Sequence, residues 1–101
     1  MNIKTKKEIE KIKKAVVPIL KKYDIVQAGI FGSLIHGNFK KDSDVDILIK
    51  IPENSTLDLL DFVHIKNEIE EAIKRKVDLI EYSTIHPALK ENILQEEVHI
   101  L

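Results

Sequence analysis

Cysteine is absent from the sequence. A disulfide framework and a thiolate zinc site are thereby excluded, and the absence fits a cytoplasmic setting. An excess of one charge sign is also missing: 16 basic residues against 17 acidic give a net charge of −1. A chain this close to neutral is not expected to bind nucleic acid directly as its main activity. Apolar runs are short, so no segment is expected to span a membrane. The basic stretch at residues 1–7 is not followed by the apolar core of a signal peptide. Glycine is scarce, and Gly29, Gly32 and Gly37 fall close together. Glycines gather where backbone turns sharply or approaches something closely, so the cluster is a first pointer to a site.

What is present fits one small folded unit. Hydrophobic residues make up 44% and charged residues 33%, which excludes disorder through low hydrophobicity. A chain of 101 residues buries one core, with no room for separate catalytic and substrate domains, so a single domain over residues 1–101 is expected. There is no internal repeat, low-complexity tract or linker.

Periodicity predicts a first helix over about residues 4–22, with an apolar stripe at Ile9, Ile12, Val16 and Ile19. Thr5 and Glu8 fit a capping box, and Pro18 predicts a kink or break because it removes a donor and meets the carbonyl of Lys14. Strands are predicted over residues 25–31, 45–51, 76–82 and 98–101. In the second strand Val45, Ile47, Ile49 and Ile51 share one face, and Asp44, Asp46, Leu48 and Lys50 share the other. Ser55 is the predicted cap of a helix running to about Lys74, and Pro87 opens a short helix to about Gln95. A short helix after Gly32 completes an order of helix, strand, short helix, strand, helix, strand, helix, strand. The fold class is mixed α/β (α+β), a sheet covered by helices on one or both faces. Periodicity leaves the strand order open.

The residues from Gly32 to Asp46 carry the chemistry. Gly32 lets backbone approach a ligand, and Ser33 offers a hydroxyl and an amide where a strand ends, both suited to a phosphate oxygen. An ordinary Gly-Ser turn is the plainer alternative. Asp44 and Asp46, two apart on a strand, project from one face roughly 6–7 Å apart at the backbone. Such carboxylates repel each other unless a cation lies between them, and oxygen-only ligands favour Mg²⁺ with substrate phosphates. Solvated acids at a loop end would explain the pair otherwise. Asp78 interrupts the apolar third strand and completes a triad if that strand lies beside the second; an edge-strand acid facing solvent is the alternative. Asp42, Asp44, Asp46 and Glu53 also match acidic positions of an EF-hand loop. Ile47 stands where that loop requires glycine, and an apolar strand follows, so the calcium reading is rejected.

Gly32-Ser33, three residues, Gly37, then Asp42-Ser43-Asp44-Val45-Asp46 and an apolar strand, with Asp78 on a later strand, together resemble the minimal nucleotidyltransferase family of the DNA polymerase β-like superfamily. The resemblance extends over essentially the whole chain. It implies a mixed sheet of about four strands flanked by helices. It implies that Asp44, Asp46 and Asp78 bind metal and are catalytic, with Asp78 assisting deprotonation of the attacking hydroxyl, and that Gly32 and Ser33 bind the nucleotide phosphates. The implied cofactor is Mg²⁺, as two ions, with ATP as the substrate. His36 stands where many members carry arginine and Ile35 where they carry alanine, which leaves one phosphate or partner contact in question. The likeness to antitoxins paired with HEPN-domain ribonuclease toxins implies transfer of AMP to a hydroxyl of the toxin. The acceptor would be recognised on that partner or across a homo-oligomer interface. The competing readings are a non-catalytic toxin-binding module, a nucleotidyltransferase with a small-molecule acceptor, and an assembly module, the last leaving the acids unexplained. Tyr23 and Tyr82 are read as packing residues, although each also offers a hydroxyl for self-modification, and Arg75 is placed near a helix C-terminal dipole.

Overall fold

Helix α1 spans Ile3–Lys22, and its entry is set by Asn2, whose side chain accepts from the amide of Thr5 at 2.8 Å. The expected Thr5–Glu8 capping box therefore does not form: Thr5 lies inside the helix and is buried. Pro18 does not break α1. Pro18 and Lys14 face solvent, where water can serve the carbonyl that loses its partner, while fully buried Val16 and Leu20 on either side hold the helix to the core. Here and below, the computed structural model describes residues 2–37 and 43–101.

Strand β1 (Ala28–Phe31) runs into a one-turn 3-10 helix at Gly32–Leu34, the short helix expected there. Strand β2 (Val45–Ile49), helix α2 (Leu59–Ile73), strand β3 (Val77–Glu81), helix α3 (Pro87–Glu96) and strand β4 (Val98–His99) follow, with an unexpected 3-10 turn at Tyr82–Thr84. Ser55 is not the cap of α2. Its hydroxyl accepts from Leu57 in the preceding loop, and the capping box is made by Asp58 and Asp61, whose reciprocal bonds measure 2.9 and 3.1 Å. His86 caps α3 through Nδ1, which accepts from Ala88 at 3.1 Å, and Pro87 occupies the first turn as expected.

The sheet has the order β3-β2-β1-β4 and is mixed: β1 is antiparallel to β2 and β4, and β2 is parallel to β3. The register puts Ala28, Ile30, Val45, Ile47, Ile49, Val77 and Leu79 on one face. These residues form a single core with Ile9, Ile12, Val16 and Leu20 of α1 and Ile65 and Ile69 of α2. Two helices thus cover one face of the sheet. The opposite face carries Asp46, Leu48, Asp78, Ile80, Gly29 and His99, as alternation requires. Among the described residues no helix is long and apolar enough to cross a membrane.

Candidate active site

The parallel register of β2 and β3 places Asp46 directly beside Asp78, and Asp44 precedes β2 by one residue. The three acids singled out in the sequence are therefore brought to one end of the face that α1 and α2 leave uncovered. Asp44 and Asp78 are exposed and Asp46 is partly buried. Burial, and then the charges of Asp78 and Asp44, raise the Asp46 carboxyl from its ordinary value to about 6. The three groups are thus close enough to repel. Among the described residues no set of three carboxylate or imidazole side chains converges tightly enough to grip an ion as they stand. The donor set is nevertheless all hard oxygen, the kind that suits Mg²⁺ beside phosphates, and a cation would relieve the repulsion felt by Asp46. Asp42, used in the rejected EF-hand match, lies outside the described residues.

Gly32 follows β1, whose last residue, Phe31, pairs with Asp46. Its φ of +81° lies in the left-handed region, and a Cβ there would sit 2.1 Å from Oδ2 of Asp46. The carboxylate occupies the space that a side chain at residue 32 would fill. Only glycine satisfies both the turn and this approach. Ser33 is in the same 3-10 turn, whose carbonyl at Gly32 accepts from Ile35 at 3.1 Å and His36 at 3.3 Å. Gly32 and Ser33 therefore adjoin the acids. His36 is exposed on the same loop and pairs through Nε2 with Glu96 of α3 at 3.2 Å.

A second polar group spans the face farther along the strands, and sequence reasoning missed it. Glu97 lies on the uncovered face, and its side chain is almost wholly buried, at 2% exposure. Its carboxylate accepts from the Tyr82 hydroxyl and lies 3.5 Å from Nε2 of His99. A Cβ at Gly29 would come within 2.0 Å of Glu97 Oε2, so Gly29 makes room for this carboxylate as Gly32 does for Asp46. Tyr82 reaches over from the turn that follows β3 and Glu97 from the residue before β4, so the pair joins the two opposite edges of the sheet beside Gly29. Leu48, which pairs with Gly29 on this face, is fully buried. Burial, then the bond to Glu97, holds the Tyr82 hydroxyl well above the usual tyrosine range. Tyr82 is accordingly a clasp, in line with its reading as a packing residue. Tyr23 is likewise engaged, its hydroxyl on Glu68 of α2. No local pattern could have flagged Glu97, because its partner lies 15 residues away and its glycine lies on another strand.

Arg75 directly follows the Lys74 cap of α2, at the helix end where the sequence reading put it, and its side chain donates to Glu8 of α1 and to the carbonyl of Ser43.

The model of the "Polymerase beta, Nucleotidyltransferase" family matches residues 5–101. Among similar proteins, one from Methanocaldococcus jannaschii, named "Putative protein adenylyltransferase MJ0435", is 43% identical over 93 residues, 92% of this chain and 98% of that protein. Protein adenylyltransferase MntA of Thermococcus cleftensis is 33% identical over 101 residues, 99% of this chain and 100% of that one. A solved structure described as a "putative minimal nucleotidyltransferase" superposes with a TM-score of 0.77 at 28% identity, covering 91% of this chain and 92% of that one. A complex of a tri-AMPylated HEPN toxin with its MNT antitoxin, from Shewanella oneidensis, shares the fold at a TM-score of 0.67 and 16% identity, covering 89% of this chain and 69% of the other. The motif, the sheet order and these likenesses agree: the chain belongs to the polymerase beta nucleotidyltransferase family.

Proposed function

We propose that the chain is a Mg²⁺-dependent protein adenylyltransferase that transfers AMP from ATP to a hydroxyl of a partner protein, a HEPN-domain ribonuclease toxin in the cytoplasm. The observation that carries the reading is the pairing of Asp46 with Asp78 at one end of the sheet, with Gly32 packed against Asp46. Relatives named as protein adenylyltransferases, matched over nearly the whole chain, support the acceptor class. The AMPylated toxin in the Shewanella oneidensis complex supports the choice of partner.

In this reading Asp44, Asp46 and Asp78 hold Mg²⁺. The ion, when bound, neutralises phosphate charge and stabilises the attacking and leaving oxygens. Gly32 brings backbone against the terminal phosphates without a side chain in the way, and Ser33 adds its hydroxyl. Asp78, exposed at the edge strand, takes the proton from the acceptor hydroxyl. The acceptor oxygen bonds to the α-phosphorus, the bond from that phosphorus to the bridging oxygen breaks, and pyrophosphate leaves. Atoms balance as an AMP ester of the acceptor plus pyrophosphate.

The test is transfer of label from α-labelled ATP with Mg²⁺, to cell lysate or to a HEPN partner, compared with an Asp44→Asn/Asp46→Asn chain. Label on the partner that disappears in the double variant is the expected result. A folded chain that binds the partner yet transfers no nucleotide from any nucleoside triphosphate would overturn the reading in favour of a non-catalytic antitoxin.

A further inference from the structure

The segment after α2 ties together more of the molecule than its exposed, charged sequence suggests. Lys74 ends α2 in the left-handed region at φ 58°, which turns the chain sharply. The next residues then face three other elements. The Arg75 side chain is 10% exposed, and its two terminal nitrogens go to different partners. One donates to Glu8 Oε1 of α1 at 3.0 Å, the other to the backbone carbonyl of Ser43 at 3.1 Å. The carbonyl of Lys76 accepts from the amide of Val45 at 2.9 Å, and the amide of Val77 donates to Glu70 of α2 at 2.8 Å.

Asp44 lies between the two backbone groups held in this way. The peptide on its N-terminal side is held through the Ser43 carbonyl by Arg75. The peptide on its C-terminal side is held through the Val45 amide by Lys76. Fixing both flanking peptide planes leaves the Asp44 backbone little freedom, although the residue itself is exposed and outside the regular strand. We propose that Arg75 is a positioning residue for Asp44: anchored on Glu8, it clamps the peptide that sets where the first carboxylate of the site points. Arginine suits the task because its planar fork serves two acceptors at fixed separation, which a lysine ammonium does not reproduce. The inference rests on the proposed role of Asp44 in holding Mg²⁺.

Mn²⁺ binding in the presence of a non-hydrolysable ATP analogue, followed by electron paramagnetic resonance well below the melting temperature, tests it. Wild type, Arg75→Gln, Arg75→Lys and Asp46→Asn are compared. The expected result is Mn²⁺ affinity about tenfold weaker in Arg75→Gln, the size usual for losing a residue that orients a metal ligand. Arg75→Lys keeps the charge but not the fork and weakens binding about threefold. It also decides the matter should Arg75→Gln fail to fold. A merely structural role would lower the melting temperature and leave the Mn²⁺ affinity of the folded chain unchanged, and that outcome overturns the inference alone. A wild-type chain that binds no Mn²⁺ overturns the metal reading and this inference with it.

Discussion

Asp46 and Ile47 are consecutive residues of one strand, and they belong to opposite regions of the molecule. Ile47 points to the face packed by α1 and α2 and is fully buried in the core. Asp46 points to the other face, beside Asp78 and over Gly32, where burial and like charge work against its ionised form. One region lowers the free energy of the fold by removing apolar surface from water. The other stores repulsion that a bound cation can release. A substitution on the first face should change stability and spare the chemistry of the folded molecules. Replacing an acid on the second should cost the chemistry without costing stability.

The strongest attack on that contrast is Asp46→Asn. Transfer activity should fall about a thousandfold or more, because a ligand for the charge that stabilises the reacting oxygens is lost. In EDTA the same variant should melt higher than wild type. A variant that melts lower and keeps its activity would erase the distinction between the faces. Ile47→Ala should lower stability by about 3 kcal/mol in urea unfolding, with turnover per folded molecule unchanged.

A smaller effect follows from the proton on Asp46. Its folded value of about 6 lies above the ordinary 3.8, so the native chain binds the proton more tightly between those values. The associated stability is fully present below about pH 4 and is lost as pH rises through 6. Because the group is partly exposed and screened, the change should be about 1 kcal/mol in metal-free protein. Urea unfolding in EDTA at pH 4 to 7 measures it, and saturating Mg²⁺ should remove the slope. The smallest effect is expected away from both faces. Lys74→Gly should stabilise the chain by about 0.5 kcal/mol, since glycine adopts the left-handed cap of α2 more readily. The change should appear equally with and without metal.

Legibility in the sequence followed the range of the interactions. The stripe on α1 and the alternation in β2 read correctly because each is a local repeat against one apolar surface. The helix caps read wrongly at both places where Ser or Thr was preferred. Asn2, three residues before Thr5, and Asp58, three residues after Ser55, are equally good acceptors, and local composition does not choose among them. Of the kink or break expected at Pro18, the break did not occur, because core packing outweighs one lost hydrogen bond. Leu48, grouped with the acids on the uncovered face, is nonetheless fully buried.

The sequence by itself determined the order of the main elements and the apolar face, and it singled out Gly32, Ser33, Asp44, Asp46 and Asp78 as candidates, since periodicity and motif spacing are properties of the chain. Only the tertiary structure decided that β3 lies beside β2 in the register that sets Asp78 against Asp46. It alone brought Arg75 to the peptide before Asp44, and Glu97 to Tyr82 over Gly29. Those contacts join residues far apart in sequence. Their geometry follows from how two helices pack one face of the sheet, and no local preference encodes it.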